Sequence, residues 1–314
     1  MTDDTVDGNF IKKSLFYNGW GAMFVLIFIF LFNIIFSLLS PVISAFILGI
    51  KIDEARQLLS TPDGTALAIN LSRINHTLSF VGYMLLPALL FTVVNRSSIA
   101  EEAGFKTKIG RSEIGMSLLL TVSAFAPVNW LDGFMRNIPW PQGLNHFATK
   151  LDTIRQEATG TILDMQAPIE LVVCLLIVAL LPALFEEFLF RGIFLNIYKG
   201  FSGSVSRAVV NQAIIFAVLH FSFYELPGIL LMGIAFGVVA ASTGTILYGI
   251  IIHFLFNSTA VVLHYISHEY FRQTGVSGAF DSIDIPAYIA LLSAIPFIYS
   301  LVWFKRRRKE IANV

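Results

Sequence analysis

The chain has 314 residues, of which 56% are hydrophobic and 13% charged, with a mean hydropathy of +0.74. Soluble domains carry about 25% charged residues, so the composition excludes an ordinary soluble protein and fits an all-α, polytopic membrane helix bundle. The formal net charge is zero; the strongest charge cluster, Lys305 to Lys309, reads as a cytoplasmic anchor rather than a nucleic-acid patch.

A helix needs about 20 apolar residues to cross a bilayer. The first apolar run, Trp20 to Ile50, is too long for a cleaved signal segment and reads as a retained span over 18–48, kinked or tilted at Pro41. Further spans are expected over 77–95, 113–131, 168–198, 207–224, 227–243, 245–266 and 285–304, which makes eight. Lys12 and Lys13, then Arg96, Lys106, Lys108 and Arg111, then Lys199 and Arg207, and last the basic tail fall on one side of that arrangement. The positive-inside rule makes this side the cytoplasm and places both termini there. Segments 51–76, 132–167 and 267–284 are then outside, although Lys51, Arg56 and Arg73 weaken the asymmetry.

Within 132–167, Phe147, Leu151 and Ile154 recur at helical spacing among Lys150, Asp152, Arg155 and Gln156. This predicts an amphipathic helix lying in the outer interface or packed over the mouth of the bundle. Trp130, Trp140 and Arg136 fit an aromatic belt with a basic neighbour. Gly233 and Gly237 allow close helix approach. The single cysteine, Cys174, reads as a buried inert thiol. The organisation expected is residues 1–165 as N-terminal spans with the outer amphipathic segment, 166–270 as the catalytic core, and 271–314 as a last span and basic tail.

The chemistry concentrates in the second half. Glu186 and Glu187 end the run LVVCLLIVALLPALF, and an intramembrane carboxylate is costly enough to need a reason. Arg191 lies four residues after Glu187 and shares its helix face, whereas Glu186 points about 100° away. Glu187 is therefore expected to hold a structural ion pair and Glu186 to face a cavity. Pro182 removes a helical hydrogen bond just before the pair. His220 ends FAVLH, and His253 and Asn257 share a helix face in HFLFN. At 1.5 Å rise per residue these groups lie about 12–22 Å from their cytoplasmic helix ends, in one layer.

A carboxylate, two histidines and an amide in one wet pocket suit acyl-bond hydrolysis. Glutamate with a histidine can deprotonate water, and histidine with asparagine can hold an oxyanion. Two histidines and a glutamate could instead bind zinc, although no His-Glu-x-x-His motif is present and the asparagine suits an oxyanion donor better. Taken singly, His220 would be a satisfied core histidine, and His253 with Asn257 interhelical glue. His264 and His268 read as interfacial, and His76 and His146 as loop residues.

EEFLFR fits Glu-Glu-x-x-x-Arg, FAVLH fits Phe-x-x-x-His, and HFLFN fits His-x-x-x-Asn. In this order on separate apolar helices they resemble the CAAX protease and bacteriocin-processing family of intramembrane peptidases, which includes type II CAAX prenyl endopeptidases. That resemblance implies an eight-helix bundle in which Glu186 and His220 activate the hydrolytic water. It implies that His253 and Asn257 stabilise the oxyanion, and that Glu187 and Arg191 occupy the remaining motif positions. The expected substrate is a peptide or membrane protein met within the cell's inner (plasma) membrane. Metal dependence stays open at this point, as do a non-catalytic scaffold or immunity role and a proton or ion carrier.

Overall fold

The computed structural model describes residues 16–105, 109–274 and 285–312, with side chains of 270–274 and 308–312 left aside. Lys12, Lys13, Lys106 and Lys108 of the charge argument, and 275–284 of the third outer segment, lie outside the described residues. All regular structure among the described residues is helical.

Helix α1 spans Gly19–Leu48, with the Asn18 side chain accepting from the Gly21 amide at its start. Pro41 lies inside it without ending it. A short helix α2, Ile52–Ser60, leads to α3, Ala66–Asn95, which crosses back. Segment 51–76, expected as an outer loop, is thus largely helical, and His76 sits on α3 stacked against Phe80. Arg73 there is buried and donates to Glu170 Oε2 at 2.8 Å and to the Ile162 carbonyl at 3.0 Å. An arginine whose donors meet a carboxylate and helix-end carbonyls can leave water, which a loop reading cannot foresee.

Helix α4, Ile99–Ala103, has a full capping box from Ser98 and Glu101. Helix α5 spans Arg111–Asn137 and α6 spans Gln142–Leu163. Helix α7, Ile169–Ser202, carries the glutamate pair. It is followed by α8, Val205–Leu219, and α9, Leu226–Thr243. Helix α10, Leu247–Thr274, carries the third motif, and α11, Ala287–Ala312, ends the fold. His264 and His268 continue α10, so helix replaces the start of the outer segment expected from 267.

Among the described residues, seven helices are long and apolar enough to cross a membrane. The expected span 207–224 corresponds to α8, apolar but only 15 residues long. It is cut short because the chain turns at His220, where Phe221 takes φ 50°. The chain is a multi-pass helical membrane protein.

Two apolar clusters flank the catalytic-motif helices. One joins α1, α3 and α7 through Val25, Phe80, Phe91, Phe190 and Phe194. The other joins α5, α9, α10 and α11 through Leu120, Phe236, Ile252 and Phe304. In lipid, association depends on packing rather than on escape from water. A Cβ at Gly237 would come within 2.5 Å of Gln212 Nε2, and one at Gly233 within 3.1 Å of Ala213. The absent side chains let α9 lie directly against α8.

Helix α6 faces the reverse of a soluble amphipathic helix. Phe147 and Ile154 are more than half exposed, whereas Asp152 is buried. Asp152 accepts from Arg136 Nη1 at 2.6 Å, Arg155 Nη2 at 3.1 Å and Gln156 Nε2 at 3.0 Å. Burial alone would raise the Asp152 pKa; hydrogen bonds from Arg136 and Arg155 outweigh it, and the net direction is down. The helix packs against the rest of the protein, and polar side chains such as Asp152, Arg155 and Thr149 make those contacts. Arg136 serves this network rather than an aromatic belt.

Candidate active site

The elements that carry the motifs are locally irregular. Helix α7 is wound as a π-helix over Leu175–Leu180 and again over Glu187–Phe194, with Pro182 on the regular turn between them. A third wide turn, Val81–Leu85, lies on α3. Such turns are frequent at functional sites. Here they frame the glutamate pair, and Phe185 stacks on Phe80 at 6.2 Å to tie α7 to α3.

Glu187 and Arg191 form the expected i,i+4 pair. Arg191 Nη1 donates to Glu187 Oε1 at 2.9 Å, and neither side chain is exposed. The guanidinium lies over the rings of Phe216 at 4.3 Å and Phe236 at 4.8 Å. Aromatic faces so placed compensate part of its lost hydration. Its Nη2 also points at the Gly233 carbonyl at 3.4 Å.

Glu187 does more than hold Arg191. The same Oε1 accepts from His253 Nδ1 at 3.1 Å. Sequence spacing could not reveal this contact, because it joins α7 to α10. Gly249 makes it possible: a Cβ there would stand 2.5 Å from Glu187 Oε2. Gly249 precedes His253 by four residues on α10, the one signal in the sequence that could have flagged it.

The two histidines present the same nitrogen to Glu186. His220 Nδ1 lies 2.6 Å from the Phe216 carbonyl. A carbonyl only accepts, so Nδ1 carries a proton, and in the neutral ring Nε2 is the nitrogen that keeps a lone pair. This explains the first residue of FAVLH: its carbonyl orients His220, and its ring covers Arg191 and meets the His220 ring edge-on at 4.4 Å. His253 likewise commits Nδ1 to the Glu187 carboxylate, and its ring stacks on Phe236 at 5.0 Å. The two Nε2 atoms then stand 3.9 Å (His220) and 3.8 Å (His253) from Glu186 Oε2.

Glu186 Oε2 is buried and has no hydrogen-bond partner among the described residues. Those gaps are too long for direct hydrogen bonds. Asn257, one turn beyond His253, points its amide at the Val178 carbonyl at 3.5 Å, a long contact on the first π segment. The structure thus groups Glu186, His220 and His253 around one point, puts Glu187 and Arg191 beneath them, and sets Asn257 at the side. His220 is the most open of the three, with its side chain 29% exposed. His264, His268, His76 and His146 take no part in this group.

A zinc site does not fit this arrangement as it stands. Among the described residues no three His, Cys, Asp or Glu side chains are disposed to hold a metal ion. Cys174 is elsewhere, fully buried and 3.4 Å from the Ile162 carbonyl.

Residues 168–259 match the model of the type II CAAX prenyl endopeptidase Rce1-like family. The match takes in all three motifs and every residue of the group just described. It covers less than a third of the 314 residues, and over that segment the resemblance drawn from the motifs holds. No curated protein and no solved structure gives a significant match to the chain.

Proposed function

We propose that the protein is an intramembrane endopeptidase of the plasma membrane that hydrolyses a peptide bond with a water activated by Glu186 and His220. The observation that carries this reading is the lone Glu186 Oε2, buried without a partner and faced by two imidazole nitrogens whose other nitrogens are already committed. A buried acceptor left unmatched costs free energy, and three acceptors around one point suit a water or a shared proton.

In the reaction, the water lies between Glu186 and His220 and gives up a proton to Glu186. The resulting hydroxide attacks the scissile carbonyl carbon, and the carbonyl π pair moves onto oxygen. His253, when Nε2 is protonated, and the Asn257 amide donate to that oxyanion. Glu187 supports His253 as Asp supports His in a serine-protease triad. Collapse of the tetrahedral intermediate breaks the C–N bond, and the proton held on Glu186 passes to the leaving amine. Water thus supplies OH to the new carboxyl and H to the new amine.

The family description favours a prenylated C-terminal peptide as substrate, and a leader or membrane-protein segment is the broader class. The decisive experiment is purification of the Glu186→Gln variant with its trapped substrate, together with cleavage assays before and after chelation. Loss of cleavage by about 10²–10⁴-fold with an unchanged fold is expected for removal of a general base. Full cleavage by that variant would refute the hydrolytic role, and loss on chelation alone would replace the metal-free mechanism.

A further inference from the structure

The turn that carries His220 has only short-range backbone hydrogen bonds of its own. Helix α8 ends at Leu219 and His220 is its C-terminal cap. The next residue, Phe221, adopts φ 50°, which a bulky side chain rarely takes. Conformations of that kind persist only where the surroundings over-determine them. The amides of His220 and Phe221 make only i−3 contacts, to the Ala217 carbonyl at 3.3 Å and the Val218 carbonyl at 3.2 Å.

The far end of the turn is gripped from outside. Phe223 meets Trp140 edge-on at 4.9 Å. The Tyr224 hydroxyl donates to Asn145 Oδ1 at 2.7 Å, and its ring lies 4.8 Å beneath the Arg136 guanidinium. Glu225 accepts from Arg155, which also donates to Asp152. Arg136 belongs to the end of α5, Trp140 to the link that follows it, Asn145 to the first turn of α6 and Arg155 to the second half of α6. Helix α6 is in turn fixed near its C-terminal end by Arg73, through the Ile162 carbonyl.

We infer that Arg155 and Glu225 are a positioning pair for His220: by fastening the outer end of the strained turn to α6, they set where His220 Nε2 stands relative to Glu186. The inference rests on the peptidase reading for its catalytic consequence, though not for its structural one. Neither residue touches the reacting atoms. Their role is to keep the turn from relaxing Phe221 into ordinary backbone, which would swing the ring away.

The test is a charge swap. Arg155→Glu, Glu225→Arg and the double variant are reconstituted in lipid vesicles, with Glu186→Gln as the catalytic control. The imidazole nitrogen NMR signals of His220, assigned by their loss in His220→Asn, are compared across the set. Turnover of a fluorogenic prenylated peptide is measured in parallel. Each single variant is expected to shift the His220 signals, to lower kcat about 10- to 100-fold as a misplaced group does, and to leave KM unchanged; the double variant restores the signals and turnover in part, because Arg155→Glu also gives up the bond to Asp152. Unmoved His220 signals in both single variants would overturn the inference, as would a turnover loss that follows melting and is not rescued by the swap. If Glu186→Gln retains turnover, or the wild type has none, the peptidase reading fails while the NMR comparison still decides the positioning claim.

Discussion

Two of the charge networks among the described residues differ in what surrounds them. Beneath the site, Glu187, Arg191 and His253 meet at one carboxylate oxygen with no exposure of the ion pair. Around α6, nearer the solvent-accessible surface, Arg136, Asp152, Arg155 and Glu225 form a chain in which three of the four side chains are about a third exposed. The inner network has aromatic rings where solvent would be, so loss of one member strands the others. The outer network has several partners per member and some access to water, so loss of one link is shared. The first is suited to fixing a geometry permanently, and the second to fastening an element that the lipid also touches.

The sharpest way to break the comparison is to remove one inner partner. Arg191→Met leaves the Glu187 carboxylate buried against a thioether, and a loss of about 3–5 kcal/mol is expected for an unpaired buried charge. Thermal unfolding in detergent would read it. A change under 1 kcal/mol would show that the inner network is no more demanding than a surface one.

Gly249→Ala comes next. Its Cβ would press on Glu187 Oε2, and overpacking of this kind costs about 1–3 kcal/mol. Because the strain falls on the carboxylate that orients His253, turnover should drop while α6 keeps its hydrogen-exchange protection. Equal loss of protection in α6 would mean the two networks are not separable.

The smallest effect is expected outside. Asp152→Asn keeps shape and loses charge, and about 0.2–1 kcal/mol per partly exposed pair is at stake. The same link gives a pH signature. Because the folded Asp152 pKa is lowered, its contribution is complete above the unfolded value of about 3.9 and is lost only as pH falls further, through the folded value. The protection factors of the α6 amides, with the intrinsic pH dependence of exchange divided out, should therefore be flat from pH 7 to about 4 and fall below it. A fall beginning near neutrality would assign the fastening to some other group.

Much of the inner arrangement was legible because helix spacing is local. The i,i+4 pair Glu187–Arg191 follows from helical spacing, as does the divergence of Glu186 from Glu187, whereas His253 and Asn257 share a helix but turn to different partners. The contact between Glu187 and His253 was not legible, because it depends on how α7 and α10 cross. The reversal of α6 was hidden for a different reason. The habit of turning apolar residues inward puts Phe147 and Ile154 against the protein, whereas the structure leaves them exposed and buries Asp152 among hydrogen-bond donors. The short α8 was overcounted because FAVLHFSFYELP stays apolar enough to hide the turn at Phe221, a bulky residue that carries none of the usual signs of left-handed backbone.

The π-wound stretch Glu187–Phe194 has a consequence for anyone copying the motif. Glu-Glu-x-x-x-Arg is written as a spacing, but a spacing fixes directions only for a given number of residues per turn. Grafted onto a straight α-helix of another scaffold, the same six letters would aim Arg191 and the residues beyond it along different bearings. The portable unit is the wide turn together with its letters, and a scaffold without room for that swelling would inherit the sequence and lose the site.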